Sequence, residues 1–364
     1  MRNKTPGKLE VLFLSFVGPN YSRSSTILNF ESEILHKKYM QLPKGIWQSI
    51  QVIYKRRIEI RSSDCLVVMS PCHALTLALK LIGRKPLILD AGWSLTDGHI
   101  SRGIKNLQIF KLPLIMTIDF ISFHSADIVL VESEAQARRT NRLFAIRKSK
   151  IRVQFTGLNE SSFNSDISES NALLDVEKIT LQLGFTLKVL FRGKINRESG
   201  FENILSAAKV LKNSVVFIFV VGKNDIKLEY PSNAIVVSEI TDYELKKIYA
   251  LSDISIGQVS NHRRLKYTIP HKAFEAGYFS MPYITADSVG VREYLHEGSA
   301  YFLSNPSAES LVNAIVDMKS NDVRSVYAEK VNLNYCGIAS QRVLSEKFDQ
   351  ILLELCTLKA NKFL

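Results

Sequence analysis

Short apolar runs alternate with longer amphipathic stretches along the whole chain, and this alternation restricts the fold more than any other feature. In the first half the runs are rich in β-branched residues and lie at 11–17, 65–70, 86–90, 128–133 and 151–155. Amphipathic stretches of helical period lie between them, at 25–39, 73–82 and 134–144. Continuous apolar strands separated by helices are typical of a parallel sheet with both faces buried. The sequence therefore predicts one doubly wound α/β domain that ends near residue 160.

The alternation stops at the polar stretch 159–171 and then starts again. The second half has apolar runs at 188–193, 215–222, 234–239, 254–259, 282–286 and 300–303. Helices are predicted between these runs at 200–211, 242–251, 271–278, 291–296 and 308–318, and a final helix at 340–358. A chain of 364 residues has room for two such domains. We expect two Rossmann-like domains facing a central cleft, with ligands bound where the strands end.

Composition excludes several other classes of protein. The content of 46% hydrophobic residues is too high for a disordered or fibrous chain. The cysteines, Cys65, Cys72, Cys336 and Cys356, lack CxxC spacing, which favours free thiols in a reducing compartment. No apolar run reaches the roughly 18 residues that span a bilayer, and the apolar run near the start lacks a signal-peptide cleavage site. A cytoplasmic protein is the expected class.

The net charge of +12 points to a phosphate-bearing partner. Basic residues cluster at 36–38, 55–57, 138–139, 147–148 and 263–266. Such clusters attract nucleic acid, an anionic membrane or a diphosphate ligand, because the attraction depends only on net potential. Solvated helix faces account for some of the clusters. The charge alone does not choose among these partners.

The loop 192–200 is the first candidate for chemistry. It reads Arg-Gly-Lys-Ile-Asn-Arg-Glu-Ser-Gly and joins a strand to a helix, with Gly193, Lys194 and Arg197 in the loop and Gly200 at the helix start. Cations, a glycine that lets the backbone approach and the unpaired amides of a helix N-terminus suit a diphosphate. An ordinary strand-to-helix turn with solvated cations is the alternative. Neither GxGxxG nor the P-loop pattern is present.

The second candidate is the predicted helix that follows Pro270. Lys272 and Glu275 are three residues apart and therefore share one helix face. Glu275 would accept two ribose hydroxyls, while Lys272 would reach phosphate or sugar oxygens. A surface ion pair between Lys272 and Glu275 is the alternative.

These two segments carry a resemblance to a known family. The stretch 269–295, IPHKAFEAGYFSMPYITADSVGVREYL, resembles the donor-site signature of GT-B nucleotide-sugar glycosyltransferases, in particular retaining family four, the glycosyl transferases group 1. The stretch 191–211 is similar to the phosphate loop of that family, and GLNESSF at 157–163 is similar to the segment that closes its first domain. The resemblance is strong in the second half of the chain and weak in the first.

The resemblance implies a domain plan and a reaction. The plan is an acceptor domain at 1–165, a nucleotide-sugar donor domain at 166–335, and a C-terminal helix at 336–364 that packs back on the first domain. The reaction is transfer of a sugar, of the hexosyltransferase type, from a nucleotide diphosphate sugar to an acceptor hydroxyl with retention. Polysaccharide or glycolipid biosynthesis is the implied setting.

The family's donor residues map onto several positions here. Glu275 matches the glutamate that binds the ribose, Lys194 stands where a phosphate-binding arginine is usual, and Gly193 matches the loop glycine. Glu293 resembles a second-loop glutamate near the sugar, with a carboxylate at a helix start as the alternative. Thr241 and nearby backbone groups would contact the nucleotide.

Two positions depart from the family pattern. Ser199 replaces the second phosphate-binding lysine, so Arg197 becomes the substitute cation. Tyr267 replaces a glutamate that usually contacts the transferred sugar, which leaves Lys272 as the substitute there. The alternative that this chain is an inactive relative of these enzymes therefore remains.

In the first domain, Asp90 and His99 are the candidates for positioning the acceptor hydroxyl. Asp90 ends a predicted strand, and His99 follows in the next segment. His73, after another strand, is a weaker candidate. A turn-capping role is the alternative for a single Asp or His at a strand end.

The expected ligands and partners follow from this interpretation. No metal is expected to be obligatory, because the loop cations would neutralise the leaving diphosphate and no Asp-x-Asp triplet suggests a metal site. The expected partners are a nucleotide sugar and a glycan or lipid-linked acceptor, with peripheral binding to an anionic membrane and no nucleic acid. A nucleotide-sugar epimerase of the same fold and a non-enzymatic nucleic-acid-binding protein remain as alternatives.

Overall fold

The structure is a computed structural model, and it describes residues 8–101, 110–164 and 187–360. The chain divides into two compact units. Unit 1 comprises Met1–Gly157 together with Gln341–Leu364, and unit 2 comprises Leu158–Ser340. In the part of the chain that the structure describes, no helix is both long and apolar enough to cross a membrane.

In the residues that the structure describes, each unit has a parallel sheet of six strands. In unit 1 the strands lie in the order β2-β1-β3-β4-β5-β6, and their bounds are β1 Leu9–Ser15, β2 Leu35–Gln41, β3 Cys65–Met69, β4 Leu87–Gly92, β5 Ile128–Val131 and β6 Ile151–Val153. In unit 2 the order is β12-β11-β10-β7-β8-β9, with β7 Leu187–Arg192, β8 Val215–Val221, β9 Ala234–Ser238, β10 Ile254–Ile256, β11 Tyr283–Ala286 and β12 Tyr301–Leu303. Each order reverses direction beside the first strand, as in doubly wound folds.

The α-helices connect these strands. Those of unit 1 before the crossing to unit 2 are α1 Ser22–Leu28, α2 Ile46–Lys55, α3 Arg57–Ser62, α4 Thr76–Gly83, α5 Leu95–Ser101, α6 Leu112–Ser125 and α7 Glu134–Phe144. Those of unit 2 are α8 Phe201–Val210, α9 Asp242–Leu251, α10 His271–Tyr278, α11 Val289–Arg292, α12 Ala308–Asp317 and α13 Asn321–Asn334. The last helix, α14 Gln341–Ala360, belongs to unit 1.

Helices cover both faces of the unit 1 sheet. On one face, Ile53 of α2, Ile60 of α3, Leu79 of α4 and Phe123 of α6 join a core with the strands. On the other face, Ile27 of α1 and the α14 residues Phe348, Ile351, Leu352 and Leu355 pack against β1 and β3. The two layers bury strands that are apolar on both sides, which is why those strands are continuous apolar runs.

The predicted fold class is confirmed. Both sheets are parallel and carry helices, and the C-terminal helix returns to the first unit, as the resemblance implied. The core of unit 2 joins β7 and β8 to α8 and α12 through Phe191, Phe217, Phe219, Ile204 and Ile315.

One predicted helix is wrong. The stretch 25–39 contains the end of α1 and most of β2 instead of one long helix. Strand β2 is an edge strand in which only Leu35 and Met40 are buried, so its apolar signal is weak. Lys37 contributes to the change of direction, because its Nζ donates to the carbonyl oxygens of Ile27 at 2.7 Å and Phe30 at 3.0 Å. These bonds satisfy carbonyl groups at the end of α1.

Candidate active site

A buried carboxylate, that of Glu275 on α10, is the centre of the site in unit 2. Its Oε1 lies 2.7 Å from Arg192 Nη1 and 3.1 Å from His271 Nδ1, and its Oε2 accepts a hydrogen bond of 3.0 Å from the Tyr249 hydroxyl. Burial raises the pKa of Glu275, but Arg192, His271 and Tyr249 outweigh burial and lower this pKa to about 2. Glu275 is 1% exposed and is nevertheless an anion at neutral pH.

Arg192, which holds this carboxylate, is the last residue of β7. The negative charge of Glu275 is the largest influence on Arg192, whose pKa is raised. From the sequence, Arg192 was predicted only as one of the loop cations, without a connection to Glu275. The available signal was the position: a cation ends a strand, Leu187–Arg192, whose other residues are buried or half-buried.

Lys272 lies on the same helix as Glu275 and is also buried. Its Nζ donates to the carbonyl oxygen of Gly257 at 3.2 Å and lies 4.0 Å from the centre of the Phe191 ring. Burial lowers the pKa of Lys272 to about 7, with Glu275 opposing this change and Arg192 adding to it. Lys272 therefore gains or loses its proton near neutral pH. A phosphate placed beside it would favour the protonated form.

Gly193 brings the phosphate loop next to Lys272. A Cβ atom at Gly193 would lie 3.7 Å from Lys272 Nζ, and the residue has a φ of +138°. The absence of a side chain therefore keeps the lysine Nζ accessible from the loop backbone. Two motifs that are about eighty residues apart in sequence thus meet at this point, as parallel strand ends allow.

The rest of the loop divides into exposed cations and buried anchors. Lys194 and Arg197 are exposed. Ser199 is buried, its Oγ donates to the Asn196 carbonyl oxygen at 2.7 Å, and its amide donates to Asn196 Oδ1 at 2.9 Å. Ser199 therefore closes the turn and leaves Arg197 as the exposed cation at the loop tip.

Gly200 anchors this loop to the segment that follows β10. It has a φ of +65°, and a Cβ atom there would lie 1.8 Å from the carbonyl oxygen of Val259. Asn203 of the following helix α8 donates from Nδ2 to the same oxygen at 3.0 Å. Only glycine fits this close approach of two backbones.

Tyr267, Glu293 and Thr241 lie at turns of unit 2. Tyr267 follows the short 3₁₀ helix Arg263–Lys266. Glu293 directly follows α11, so the alternative of a helix-start carboxylate is wrong. Thr241 begins α9: its Oγ1 accepts from the Glu244 amide at 3.2 Å, and its own amide donates to Glu244 Oε2 at 2.7 Å. The amide of Thr241 is thus engaged in helix capping.

In unit 1, Asp90 is engaged in a buried ion pair. Arg23 Nε donates to Asp90 Oδ1 at 2.7 Å, Arg23 Nη2 lies 2.7 Å from the same oxygen, and both side chains are buried. Asp90 is therefore already engaged by a guanidinium in the structure, and its expected acceptor role stays a prediction.

The two histidine candidates of unit 1 differ in exposure. His99 is half-buried on α5. His73 is fully buried, its ring meets Phe123 edge-on at a centroid distance of 6.0 Å, and burial lowers its pKa. His73 is therefore a neutral core residue, and His99 is the more accessible of the two.

A polar network that the sequence analysis missed lies at the carboxyl ends of β4, β5 and β6. Glu132 follows β5, and its two carboxylate oxygens accept from Trp93 Nε1 at 2.6 Å and Thr156 Oγ1 at 2.7 Å. Arg23 Nη1 donates to the Gln154 carbonyl oxygen at 2.9 Å. Glu132 comes directly after an apolar strand. That position in the sequence could have marked it as a candidate site residue.

Among the residues that the structure describes, no three His, Cys, Asp or Glu side chains are grouped so that they could hold a metal ion. The side chains that converge in unit 2 are two cations and one carboxylate. Such a set can bind a polar anion and a hydroxyl-bearing group at neighbouring points.

Comparison with known proteins identifies the fold and the domain. The model of the family described as glycosyl transferases group 1 matches residues 182–332. The structure of HepE from Anabaena in complex with UDP-glucose has a TM-score of 0.71 at 12% identity, over 95% of this chain and 100% of that chain. A glycosyltransferase from Rickettsia africae has a TM-score of 0.67 at 13% identity, over 96% and 98% of the two chains.

A structure assigned to UDP-N-acetylglucosamine 2-epimerase from Listeria monocytogenes has a lower TM-score of 0.54 at 13% identity, over 93% of this chain and 95% of that chain. Among curated proteins, none matches the sequence significantly. Residues 182–332 therefore form a glycosyl transferases group 1 domain, and the chain has the GT-B fold of the two glycosyltransferase structures.

Proposed function

We propose that this chain transfers a sugar, with retention at the anomeric carbon, from a nucleotide diphosphate sugar to an acceptor hydroxyl. The observation that supports this most is the buried, anionic Glu275 beside Lys272 and Gly193 within the group 1 domain. HepE, which has this fold, was crystallised with UDP-glucose, and a UDP-sugar is accordingly the first donor to test. Retention follows from the resemblance to family four.

In this proposal Glu275 binds the ribose through Oε2. A carboxylate offers about four acceptor positions. Arg192 and His271 lie against Oε1, and Tyr249 donates to Oε2, so one position on Oε2 is left. Glu275 would therefore accept one ribose hydroxyl, where the sequence analysis expected two.

The diphosphate would lie at the loop 193–200. Lys194 and Arg197 are the exposed cations of the loop, and Lys272 lies beside Gly193. Negative charge on the diphosphate increases as the bond to the sugar breaks, and fixed cations stabilise that charge more in the transition state than in the ground state. These residues would act as electrostatic catalysts, with no obligatory metal.

The proposed acceptor is a glycan or a lipid-linked sugar, in polysaccharide or glycolipid synthesis in the cytoplasm. His99 remains the candidate for contact with the acceptor hydroxyl, since Asp90 is paired with Arg23. Glu132, held by Trp93 and Thr156, is a second carboxylate at the strand ends of the same unit.

The test is calorimetric titration of UDP-, GDP-, ADP- and dTDP-linked sugars into the wild type, Glu275→Gln and Lys194→Ala. We expect one nucleotide class to bind the wild type and to bind each variant at least about tenfold more weakly, since each variant loses a charged contact. Glu329→Gln is the matched control, because Glu329 is an exposed glutamate on α13 of unit 2, and donor affinity should be unchanged in this variant.

Circular dichroism checks that Glu275→Gln is folded. If Glu275→Gln does not fold, the exposed-site variant Lys194→Ala still tests the donor site. Absence of donor binding to the folded wild type, or full affinity in both variants, would refute the donor-site assignment. Nuclear magnetic resonance of the products separates transfer from epimerisation: a donor that changes configuration without an acceptor would favour the epimerase alternative.

A further inference from the structure

Unit 1 exposes large apolar side chains on the outer side of one helical layer. Helices α2, α3, α4 and α6 cover the same face of the sheet, since Ile53, Ile60, Leu79 and Phe123 join one core. Phe110, two positions before α6, is exposed together with side chains on the outer side of the layer. These are Ile46, Trp47, Tyr54, Ile58, Leu77, Leu81, Leu114, Met116, Phe120 and Ile121. We call these residues the apolar surface.

The size and exposure of these side chains are unusual for a surface in water. Phe110 is 82% exposed, Trp47 79%, and Ile58 77%. Single exposed apolar residues are common, but a contiguous group on packed helices is typical of an interaction site. Helices α2 and α3 both pack against α4, and α4 packs against α6, so the helices that carry the group form one continuous layer.

Helix α6 shows the feature most clearly. Its sequence, LPLIMTIDFISFHS, is apolar on all sides, a pattern typical of a helix surrounded by other apolar groups. Its one acidic residue, Asp119, points inward, where Oδ1 and Oδ2 accept from the amides of Leu95 at 3.1 Å and Thr96 at 2.7 Å. Leu114, Met116, Phe120 and Ile121 point outward.

Basic residues accompany the apolar surface. Between residues 44 and 85 the sequence has eight Lys and Arg residues against Glu59 and Asp64. Lys44, Lys55, Arg61 and Arg84 are exposed on or beside α2, α3 and α4. The Arg57 guanidinium lies 4.6 Å from the centre of the Tyr54 ring, which is itself exposed.

We propose that the apolar surface binds the headgroup region of an anionic lipid bilayer. Tryptophan, phenylalanine and branched aliphatic side chains enter the boundary between headgroups and acyl chains, while lysine and arginine bind anionic headgroups. The net positive charge of the face complements an anionic bilayer and opposes contact with a second copy of the same face. This surface lies wholly in unit 1 and goes beyond the proposed transfer reaction.

The test uses the full chain and vesicles of phosphatidylcholine with or without phosphatidylglycerol, at 0.1 M salt. We expect co-sedimentation at least about tenfold stronger with phosphatidylglycerol. The triple variant Trp47→Ser, Ile58→Ser, Leu81→Ser should bind at least about tenfold more weakly, because it removes apolar insertion and keeps every charge. The matched control is Val210→Ser, Val326→Ser, Leu333→Ser, which alters exposed apolar residues of unit 2 and should bind like the wild type.

Fluorescence reports the depth of insertion at Trp47. Its emission should shift to shorter wavelength with anionic vesicles and be quenched by brominated acyl chains, and Trp47→Phe should abolish both effects. Trp93, whose indole donates to Glu132, is not expected to respond.

Three results would overturn the proposal. The wild type does not bind anionic vesicles, the triple variant binds them as well as the wild type, or the wild type forms dimers that the triple variant does not. Donor binding measured on the same samples separates this test from that of the transfer reaction, since a wild type that binds vesicles and no donor would refute the reaction alone.

Discussion

At the scale of single residues, the charge state of Glu275 depends on Arg192. The carboxylate has almost no access to water, so its stabilisation comes from Arg192, His271 and Tyr249. Glu275 is thus a positioned acceptor before any ligand arrives, because its partners restrict it to one orientation. This preorganisation lowers the entropy cost of binding a hydroxyl group.

The lowered pKa of Glu275 predicts a dependence of stability on pH. Its pKa falls from 4.5 in the unfolded chain to about 2 in the folded protein, so its contribution is complete above pH 5 and is lost as the pH falls towards 2. The shift corresponds to about 3 kcal/mol of unfolding free energy. Urea denaturation of the wild type and Glu275→Gln should give a difference that is constant above pH 5 and shrinks below it. A difference that grows on acidification would contradict this.

Lys272 predicts a linked proton. Its pKa is about 7, and a diphosphate beside it would raise this value, so donor binding at pH 8 should take up a proton from the buffer. Calorimetry in buffers of different ionisation enthalpy measures this uptake. Lys272→Arg keeps the positive charge and should show no uptake, whereas equal uptake in both proteins would assign the proton to another group.

At the scale of elements, the loop 192–200 is held by a contact between two backbones. Gly200→Ala places a methyl group where the Val259 carbonyl oxygen lies and requires a left-handed φ. We expect a loss of at least about 2 kcal/mol in unfolding free energy, measured by urea denaturation, together with weaker donor binding. Gly337→Ala is the control in the same unit, because nothing lies within 4 Å of its Cβ position. Equal stability of the two variants would show that the loop adapts.

Helices and strands whose apolar residues recur with a strong period were predictable from the sequence. The helices Glu134–Phe144, Asp242–Leu251 and His271–Tyr278 lie where the apolar pattern placed them. Strand β2 was missed because an edge strand buries few residues, and α13 because its exposed side chains give little apolar period.

The candidate site was only partly predictable, and the reason is also physical. The types of Glu275, Lys272 and Gly193 are visible in sequence, but the distance between Arg192 and Glu275 arises only when β7 and α10 pack. Asp90 has the sequence context of an acceptor residue, and only the fold shows that Arg23 already pairs with it. Long-range ion pairs are not encoded in local spacing.

At the scale of the whole molecule, α14 completes the core of unit 1. Phe348 is buried with its ring centroid 5.8 Å from that of Phe13 on β1. Phe348→Ala should therefore lower the unfolding free energy of unit 1 by about 3–5 kcal/mol and shift its calorimetric transition. Leu353→Ala, at an exposed position of the same helix, should change it by less than about 0.5 kcal/mol. Equal effects would place α14 outside the core.

The path of the chain has a consequence for synthesis. The polypeptide leaves unit 1 at Gly157 and returns to it at Gln341, with all of unit 2 made in between. On the ribosome, the face of β1 and β3 that receives Phe348 and Leu352 has only α1 packed on it while unit 2 is translated. Unit 2 has all its residues first and can fold as the nascent chain emerges. The unit that is begun first is therefore completed last, and part of the apolar face of its strands stays exposed during that interval.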